Sequence, residues 1–527
     1  MCKYLIVGDV DHIQDYVFGS SRLRAIRGAS ALLDRAAEKV KKPPPPLSCD
    51  DIFRRDVLRW RGGQIVAVLQ DVTEEQADAV CAYIEKTFRK FSAGEATITT
   101  ACQPYQGDFK KAIKAAFVKV RKEKDGRQIF GSDGEAFLTS SYDRRCYLLP
   151  SQSATDRKSV GEPGEEEFRY LSDSALVRWN AVLSTMPFDG DLQEKLLWAG
   201  ICPIGKLPYK PEDLWKKKAE GQYMAFVVAD GNAFGQMLET IDESKVYQKF
   251  SEELYNLTLT AIAQAAKKAG IKHFCKRNEG QVVRLLPFIP IILAGDDLSV
   301  LVREEHSVAF VYHLCNSFWE LSGDEERYPH VRRVIYDFRD KEPEAGKRWF
   351  PGEDKTLWRL TLSAGVAIAK RTFPISAFRR FAGELRSSAK SRLRSNPEEA
   401  VLEGGMIDFA IITTATVQPL TDIRRHYRFD ETPEEKPESG YREWTVLTAR
   451  PYTVKQFGRL RELAKALKQI PRSKRKFLYR EFLKGRAGAK EASSSSWQKK
   501  KTVKEKLFRF FKSLAVIGLK RVTHFVI

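Results

Sequence analysis

No two of the eight cysteines form a C-x-x-C pair; Cys2, Cys49, Cys81, Cys102, Cys146, Cys202, Cys275 and Cys315 are scattered. This spacing argues against a disulfide framework and against a structural zinc site, and it fits a reducing compartment. Histidine is also sparse, seven residues in 527 with no His-Asp dipeptide, so a His/Asp metallohydrolase site is not expected. Long apolar runs are missing. The longest, LLPFIPIILAG at 285–295, has eleven residues and two prolines, too few to span a bilayer. The opening MCKYLIVGDVD has no basic segment followed by a long apolar one, so no secretory signal is expected. The chain is therefore read as cytoplasmic, with no membrane partner.

Acidic residues run short in one region only. Residues 450–527 carry 23 Lys and Arg against four Asp and Glu, a surplus of 19 in a chain whose net charge is +20. The rest of the chain is close to neutral. A localised basic surface suits contact with phosphates or an acidic partner; the plainer reading is a solvated basic tail.

What is present is a pattern of carboxylates at strand ends. Residues 291–300, IILAGDDLSV, read as an apolar strand, a glycine turn and two adjacent carboxylates, and LSVLVR at 298–303 resumes a strand. A hairpin would hold Asp296 and Asp297 at its tip. Adjacent anionic groups repel unless a cation lies between them, and hard oxygen ligands suit Mg²⁺, which fills its shell with water and substrate phosphates. AFVVADGNAFGQM at 225–237 is a second apolar strand and ends at Asp230. One strand-end Asp beside a hairpin carrying two is the metal arrangement of palm-type nucleotide polymerases and cyclases. A lone Asp-Asp pair is more often a solvated turn; the matching strand at Asp230 shifts the reading to a metal site.

The order of elements predicts an α+β fold in four parts. In 1–105, strands at 3–11, 62–70 and 96–105 alternate with helices at 22–40 and 74–91, the latter opened by a Thr73/Gln76 capping box. This βαβαβ order suggests a ferredoxin-like unit. Residues 106–221 read as a mixed helical insert. Residues 222–420 repeat the plan, with strands at 225–230, 360–369 and 406–415, the aspartate hairpin, and helices at 246–269, about 307–321 and 376–393. Two such copies are expected to face each other. Residues 421–527 read as a basic helical domain with helices at 455–470, 473–486 and 501–519. In the last of these Val503, Leu507, Phe510, Phe511 and Leu514 share one face, which suits packing in a bundle better than lying on a membrane.

Several stretches in order resemble one family, the large palm-domain subunit of type III CRISPR–Cas effector complexes. GDVDHIQDYVFGSSRLRAIRGAS (8–30) and RGGQIVAVL (61–69) look like its first palm. ADGNAFG (229–235), AGDDLSVLV (294–302) and LTLSAGVAIAKRTFPI (360–375) look like its second. DFAIITTA (408–415) and LTARPYT (447–453) look like the segment leading into its C-terminal helical domain.

The resemblance implies a nucleotidyltransferase that makes cyclic oligoadenylates from ATP on target-RNA recognition. Its partners would be the other effector subunits, guide RNA and target RNA. It implies that Asp230, Asp296 and Asp297 bind Mg²⁺ or Mn²⁺, with the Gly231 carbonyl as an extra ligand and Gly295 at the turn. Gly62 and Gly63 would allow close approach to a nucleotide in the first palm, and Ser30 would donate to a phosphate. Lys390 would reach a triphosphate, or would be an ordinary exposed helix lysine. Arg27 would bind phosphate or pair with a local acid. Asp11 is better read as a helix cap than as a metal ligand.

Four departures stand out. The family's Gly-Gly-Asp-Asp is Ala294-Gly295-Asp296-Asp297 here, and the second Asp of its first strand motif is Asn232. The linker zinc site is reduced to Cys146, so no zinc is expected. The His/Asp nuclease domain of many relatives has no counterpart in this sequence, so DNA cleavage by that route is not expected. Ala294 and Asn232 keep open an inactive scaffold subunit, and a stand-alone nucleotide cyclase is a third reading.

Overall fold

The computed structural model describes residues 2–40, 57–60, 63–130, 145–160, 167–181, 223–278, 281–295, 297–413, 418–425, 428–430, 444–446, 450–468 and 471–482, with short pieces at 192, 194–196, 199, 201, 208 and 211–215. The chain is α+β. The expected helix at 501–519 lies outside the described residues.

The first unit runs β1 (Cys2–Val10), α1 (Ile13–Phe18), α2 (Leu23–Val40), β2 (Val57–Arg59), β3 (Gln64–Val72), α3 (Glu74–Phe91) and β4 (Ile98–Tyr105). Its sheet has the order β2-β3-β1-β4 with every pair antiparallel, the βαββαβ plan of a ferredoxin-like unit. Three strands were expected; the short β2, next to the charged FRR run at 53–55, is the addition. β1 reads as an unbroken apolar run because both its faces are covered. Leu5 and Val7 enter one core cluster, and Tyr4 and Ile6 enter another. The capping box forms as expected, with Gln76 N donating to Thr73 Oγ1 at 3.3 Å and Thr73 N to Gln76 Oε1 at 2.9 Å.

Helix α4 (Phe109–Phe130), expected as part of the insert, packs on the first sheet against β4 and β1. Phe109, Ile113, Ala116 and Val120, at helical spacing, form its buried stripe. A hairpin of β5 (Asp156–Ser159) and β6 (Phe168–Leu171) leads to α5 (Asp173–Ala181), which lies on α2. Gly28 permits that contact, since a Cβ there would meet the Arg178 carbonyl oxygen at 1.8 Å. Cys146 is buried with Leu148 and Leu171 in a small cluster beside α5.

The second unit begins with β7 (Tyr223–Gly231), α6 (Phe234–Leu238) and α7 (Ser244–Lys268), followed by a hairpin of β8 (Phe274–Asn278) and β9 (Gln281–Leu285). β10 (Phe288–Ala294), β11 (Asp297–Arg303) and α8 (Glu304–Leu321) come next. Two helices then appear that the pattern analysis did not assign, α9 (Pro329–Lys341) and α10 (Pro343–Trp349). The unit continues with β12 (Leu362–Lys370), α11 (Ile375–Ser395), α12 (Pro397–Leu402) and β13 (Gly405–Ile411). Further on lie α13 (Leu420–Arg425), the paired β14 (Arg428–Asp430) and β15 (Trp444–Val446), and β16 (Tyr452–Thr453). The sheet order is β10-β11-β7-β12-β13-β16. Its first four strands repeat the order of the first sheet, with β7 in the place of β1. β13 is added parallel to β12 through the α11 crossover.

The two units pack directly on one another. Phe18 meets Phe226 with ring centroids 6.1 Å apart, and Gln248 Nε2 donates to the Val57 carbonyl at 3.4 Å. Both large core clusters contain residues of both sheets. Helix α14 (Val454–Lys468) follows β16 and packs on α8, with Arg461 over the Tyr312 ring, and α15 (Arg472–Phe482) ends the described chain.

Candidate functional site

Three strands set the positions of the carboxylates. β7 and β11 pair antiparallel with Leu298 opposite Ala229, so one step further Asp297 falls opposite Asp230. The next strand places Ser363 beside Asp230. Side chains alternate along a strand. Phe226 and Val228 on β7 and Leu301 on β11 all enter one core cluster, so Asp230 and Asp297 belong to that same face. The turn before Asp297 passes through Gly295 at φ +65, a left-handed conformation that glycine adopts without strain. Thr258 Oγ1 donates to the Gly295 carbonyl at 2.5 Å. Asp296 lies outside the described residues, as does the side chain of Ala294.

Like charges directly opposite each other destabilise a sheet, and here two cations from α11 offset the repulsion. Lys390 Nζ is ion-paired with Asp230. Arg386 Nη1 stands 3.5 Å from Asp230 Oδ2 and 4.0 Å from Asp297 Oδ1. α11 comes this close because of Gly365 on β12, where a Cβ would lie 2.2 Å from the Ala382 carbonyl oxygen. Asp230 is 19% and Asp297 33% exposed, so both are reachable from solvent. Among the described residues no group of three or more His, Cys, Asp or Glu gathers as a metal cage. Two carboxylates are nevertheless a suitable donor set for Mg²⁺, which takes one or two and fills its shell with water and phosphate.

Two clefts border this corner. One, of about 800 Å³, is floored by the chain from Asp230 to Gln236 and walled by Lys390, Arg394, Arg348 and Trp349. Lys390 and Arg394 are one helical turn apart, so both point along the same wall. The other, about 280 Å³, lies behind the Gly295 turn between the two units, among Trp60, Lys195, Phe234, Tyr255 and Asn256. Its aromatic and amide lining is of the kind that accepts a planar polar ring.

Asn232 is buried and holds the end of β7 to the neighbouring chain. Its amide nitrogen donates to Thr361 Oγ1 at 3.0 Å, and its amide oxygen accepts from Ser363 Oγ at 2.8 Å. Gly231 lines the larger cleft and Gly295 the smaller. Lys390 is neither a simple exposed lysine nor free of partners, since it is bound to Asp230.

The first unit departs from expectation at Ser30 and at Asp11. Ser30 is buried within α2 and lines neither cleft. Arg27, also buried in α2, donates to the Pro208 carbonyl at 2.8 Å. Asp11 does not cap α1, whose N-cap is His12 without a side-chain bond; it accepts from Thr97 Oγ1 at 2.7 Å and Thr99 Oγ1 at 2.8 Å. Gly63 has φ +77 and sits against Ile13, while Gly62 lies outside the described residues.

The first sheet carries a counterpart of the carboxylate corner. Asp9 is second to last in β1, as Asp230 is in β7, and it pairs with Gln64 at the start of β3, the position of Asp297 in β11. Here no second strand-end carboxylate is present. Lys124 Nζ from α4 lies 2.6 Å from Asp9 Oδ2 and 3.2 Å from Asp11 Oδ1, filling the place between them with its own charge.

Sequence reasoning missed Arg386, Arg394, Trp349 and Lys124. The spacing Arg386-Lys390-Arg394 was a readable signal, a cationic stripe at i, i+4 and i+8. Trp349 and Lys124 carried none, because they reach their sites from elements distant in the chain.

Residues 223–396 match the family described as Cas10/Cmr2, second palm domain. No curated protein matches the chain. Among solved structures, the Csm1-Csm4 cassette in complex with one ATP aligns with TM-score 0.40 and 15% identity, covering 74% of this chain and 53% of that one. The same cassette in complex with cA4 aligns with TM-score 0.39 and 15% identity over the same shares. The chain thus spans about half the length of those it aligns with.

Proposed function

We propose that this chain, whose residues 223–396 match the Cas10/Cmr2 second palm domain, is the nucleotide-polymerising large subunit of a type III CRISPR–Cas effector complex. It would convert ATP to cyclic oligoadenylates with release of pyrophosphate when the complex recognises target RNA. The observation that carries this reading is the placement of Asp230 and Asp297 opposite each other on one sheet face, at the edge of a cleft walled by Lys390 and Arg394. Adenine, the RNA partners and the companion subunits are carried over from the sequence resemblance.

In this reading Asp230 and Asp297 hold Mg²⁺ or Mn²⁺, joined by Asp296, the neighbour of Asp297 in sequence. A divalent cation at such a site lowers the pKa of a hydroxyl and neutralises charge on phosphate oxygens. The protein's part is positioning and electrostatics. Lys390 and Arg394 line up the polyphosphate along α11, and the turn after Asp230 approaches it with bare backbone at Gly231. Asn232 keeps that turn fixed to Thr361 and Ser363, so the floor of the cleft does not shift as charge develops. The smaller cleft beyond Gly295 would take the base. No dedicated general base is required.

The test uses purified chain, ATP and Mg²⁺ or Mn²⁺, with target RNA and companion subunits supplied, and reads pyrophosphate. Asp230→Asn and Asp297→Asn should each reduce release at least 100-fold (about 2.7 kcal/mol) while leaving the melting curve cooperative. Equal release by wild type and both variants would overturn the catalytic reading. A scaffold subunit is the second reading, and one observation favours it: both carboxylates already face cations of their own chain.

A further inference from the structure

The same observation has a different explanation if the site is a metal site, and this inference rests on that reading. Lys390 and Arg386 differ in how they meet the carboxylates. Lys390 is in direct hydrogen-bond contact with Asp230 and, among the described residues, reaches no other carboxylate in the corner. Arg386 is close to both carboxylates and bonded to neither. Its Nη1 stands 3.5 Å from Asp230 Oδ2 and 4.0 Å from Asp297 Oδ1, beyond the usual 2.7–3.2 Å of an N–H···O bond. Its Nε is buried and donates to no group among the described residues. A structural arginine normally uses its planar fork in paired, short bonds to a carboxylate. This one contributes charge without that geometry.

We infer that Arg386 is an exchangeable counter-ion, a built-in competitor of the divalent cation for the Asp230–Asp297 corner. With no divalent cation bound, its guanidinium balances the two opposed carboxylates and keeps the sheet edge from repelling itself apart. A divalent cation must displace that charge to bind, so affinity for the cation alone is weak. Once displaced, the guanidinium carries a buried, unused donor into a corner bordered by the cleft that Lys390 and Arg394 line. An anionic polyphosphate would accept from it. Cation and nucleotide therefore bind in mutual support, and the empty corner does not hold a cation idly.

Titration of the full chain with Mn²⁺ in the absence of nucleotide, with free Mn²⁺ read by electron paramagnetic resonance, tests this without any turnover. Arg386→Gln removes the competing charge and should tighten Mn²⁺ binding at least tenfold, equivalent to about 1.4 kcal/mol. Arg386→Met keeps the aliphatic stem and should move the same way. Arg386→Lys keeps the charge and should stay within about threefold of wild type, under 1 kcal/mol on the same scale. If both neutral variants bind Mn²⁺ no tighter than wild type while Asp230→Asn abolishes binding, Arg386 is not a competitor and the inference fails alone. If Asp230→Asn and Asp297→Asn leave the titration unchanged, the corner is not a metal site, and the functional reading falls with it.

Discussion

Gly365→Ala tests whether the close approach of α11 to the sheet is what assembles the carboxylate corner. A methyl at that position would lie 2.2 Å from the Ala382 carbonyl oxygen and 2.3 Å from the Arg386 backbone nitrogen. Ordinary contact begins near 3.4 Å, so α11 must retreat by about 1.2 Å at the level of Arg386. Both obstacles are helix backbone, which cannot yield as a flexible side chain can. Overpacking of this kind costs about 1–3 kcal/mol, and in a cooperative unit of this size each kcal/mol lowers the melting temperature by roughly 2–4 °C. Gly383, on the same helix, supplies the internal control. A Cβ there meets nothing within 4 Å, so Gly383→Ala should stabilise by about 0.5–1 kcal/mol through helix propensity. The two substitutions add the same methyl and should move the melting temperature in opposite directions. Retreat of α11 also withdraws Lys390 from Asp230, and a misplacement of about 1 Å can reduce turnover as much as 100-fold. Calorimetry and pyrophosphate release read the two effects. A Gly365→Ala protein that melts with wild type and turns over normally would refute the claim that this contact positions the site.

Two further expectations concern stability. Lys124→Met leaves Asp9 and Asp11 adjacent with their shared cation gone, and should cost about 1–2 kcal/mol at neutral pH after allowance for partial exposure. The loss should shrink when Asp9→Asn is added, and urea denaturation showing no loss would contradict the assigned pairing. His313 is held down to about 4, first by burial and then by the charges of Arg461 and Lys268. Because its folded value lies below the free value of 6.5, the unfolded chain takes up the proton first. Its contribution to stability is therefore complete above pH 6.5 and is lost as pH falls toward about 4. His313→Gln should flatten the melting temperature across that window, and parallel slopes for the two proteins would dismiss the assignment.

Much of this was readable in the chain. AFVVAD and IILAGDD declare strands because both faces of β7 and of β10 are covered by apolar side chains, and an abrupt carboxylate at the end of such a run marks a strand end. Thr73 and Gln76 announce their helix through a purely local bond. Asp11 misled for the opposite reason. A cap and a long-range acceptor look alike in sequence, and Thr97 and Thr99, far along the chain, won its oxygens. Ser30 read as a phosphate donor, but α5 packs over α2 at Gly28 and the hydroxyl is buried. α9 was passed over because its apolar stripe, Val331, Val334, Ile335 and Phe338, is interrupted by charged residues, of which Arg332 and Arg339 are buried beside it.

The order of strands and helices, the repetition of one unit in the other, and the two aspartates at adjacent strand ends follow from apolar periodicity and turn chemistry, which act over a few residues. The electrostatic state of those aspartates does not. It depends on a helix more than a hundred residues beyond Asp230 being drawn onto the sheet at a glycine, and on which of its cations then fall within 4 Å. Charge interactions are set by distances through space, and only the packed fold fixes those distances.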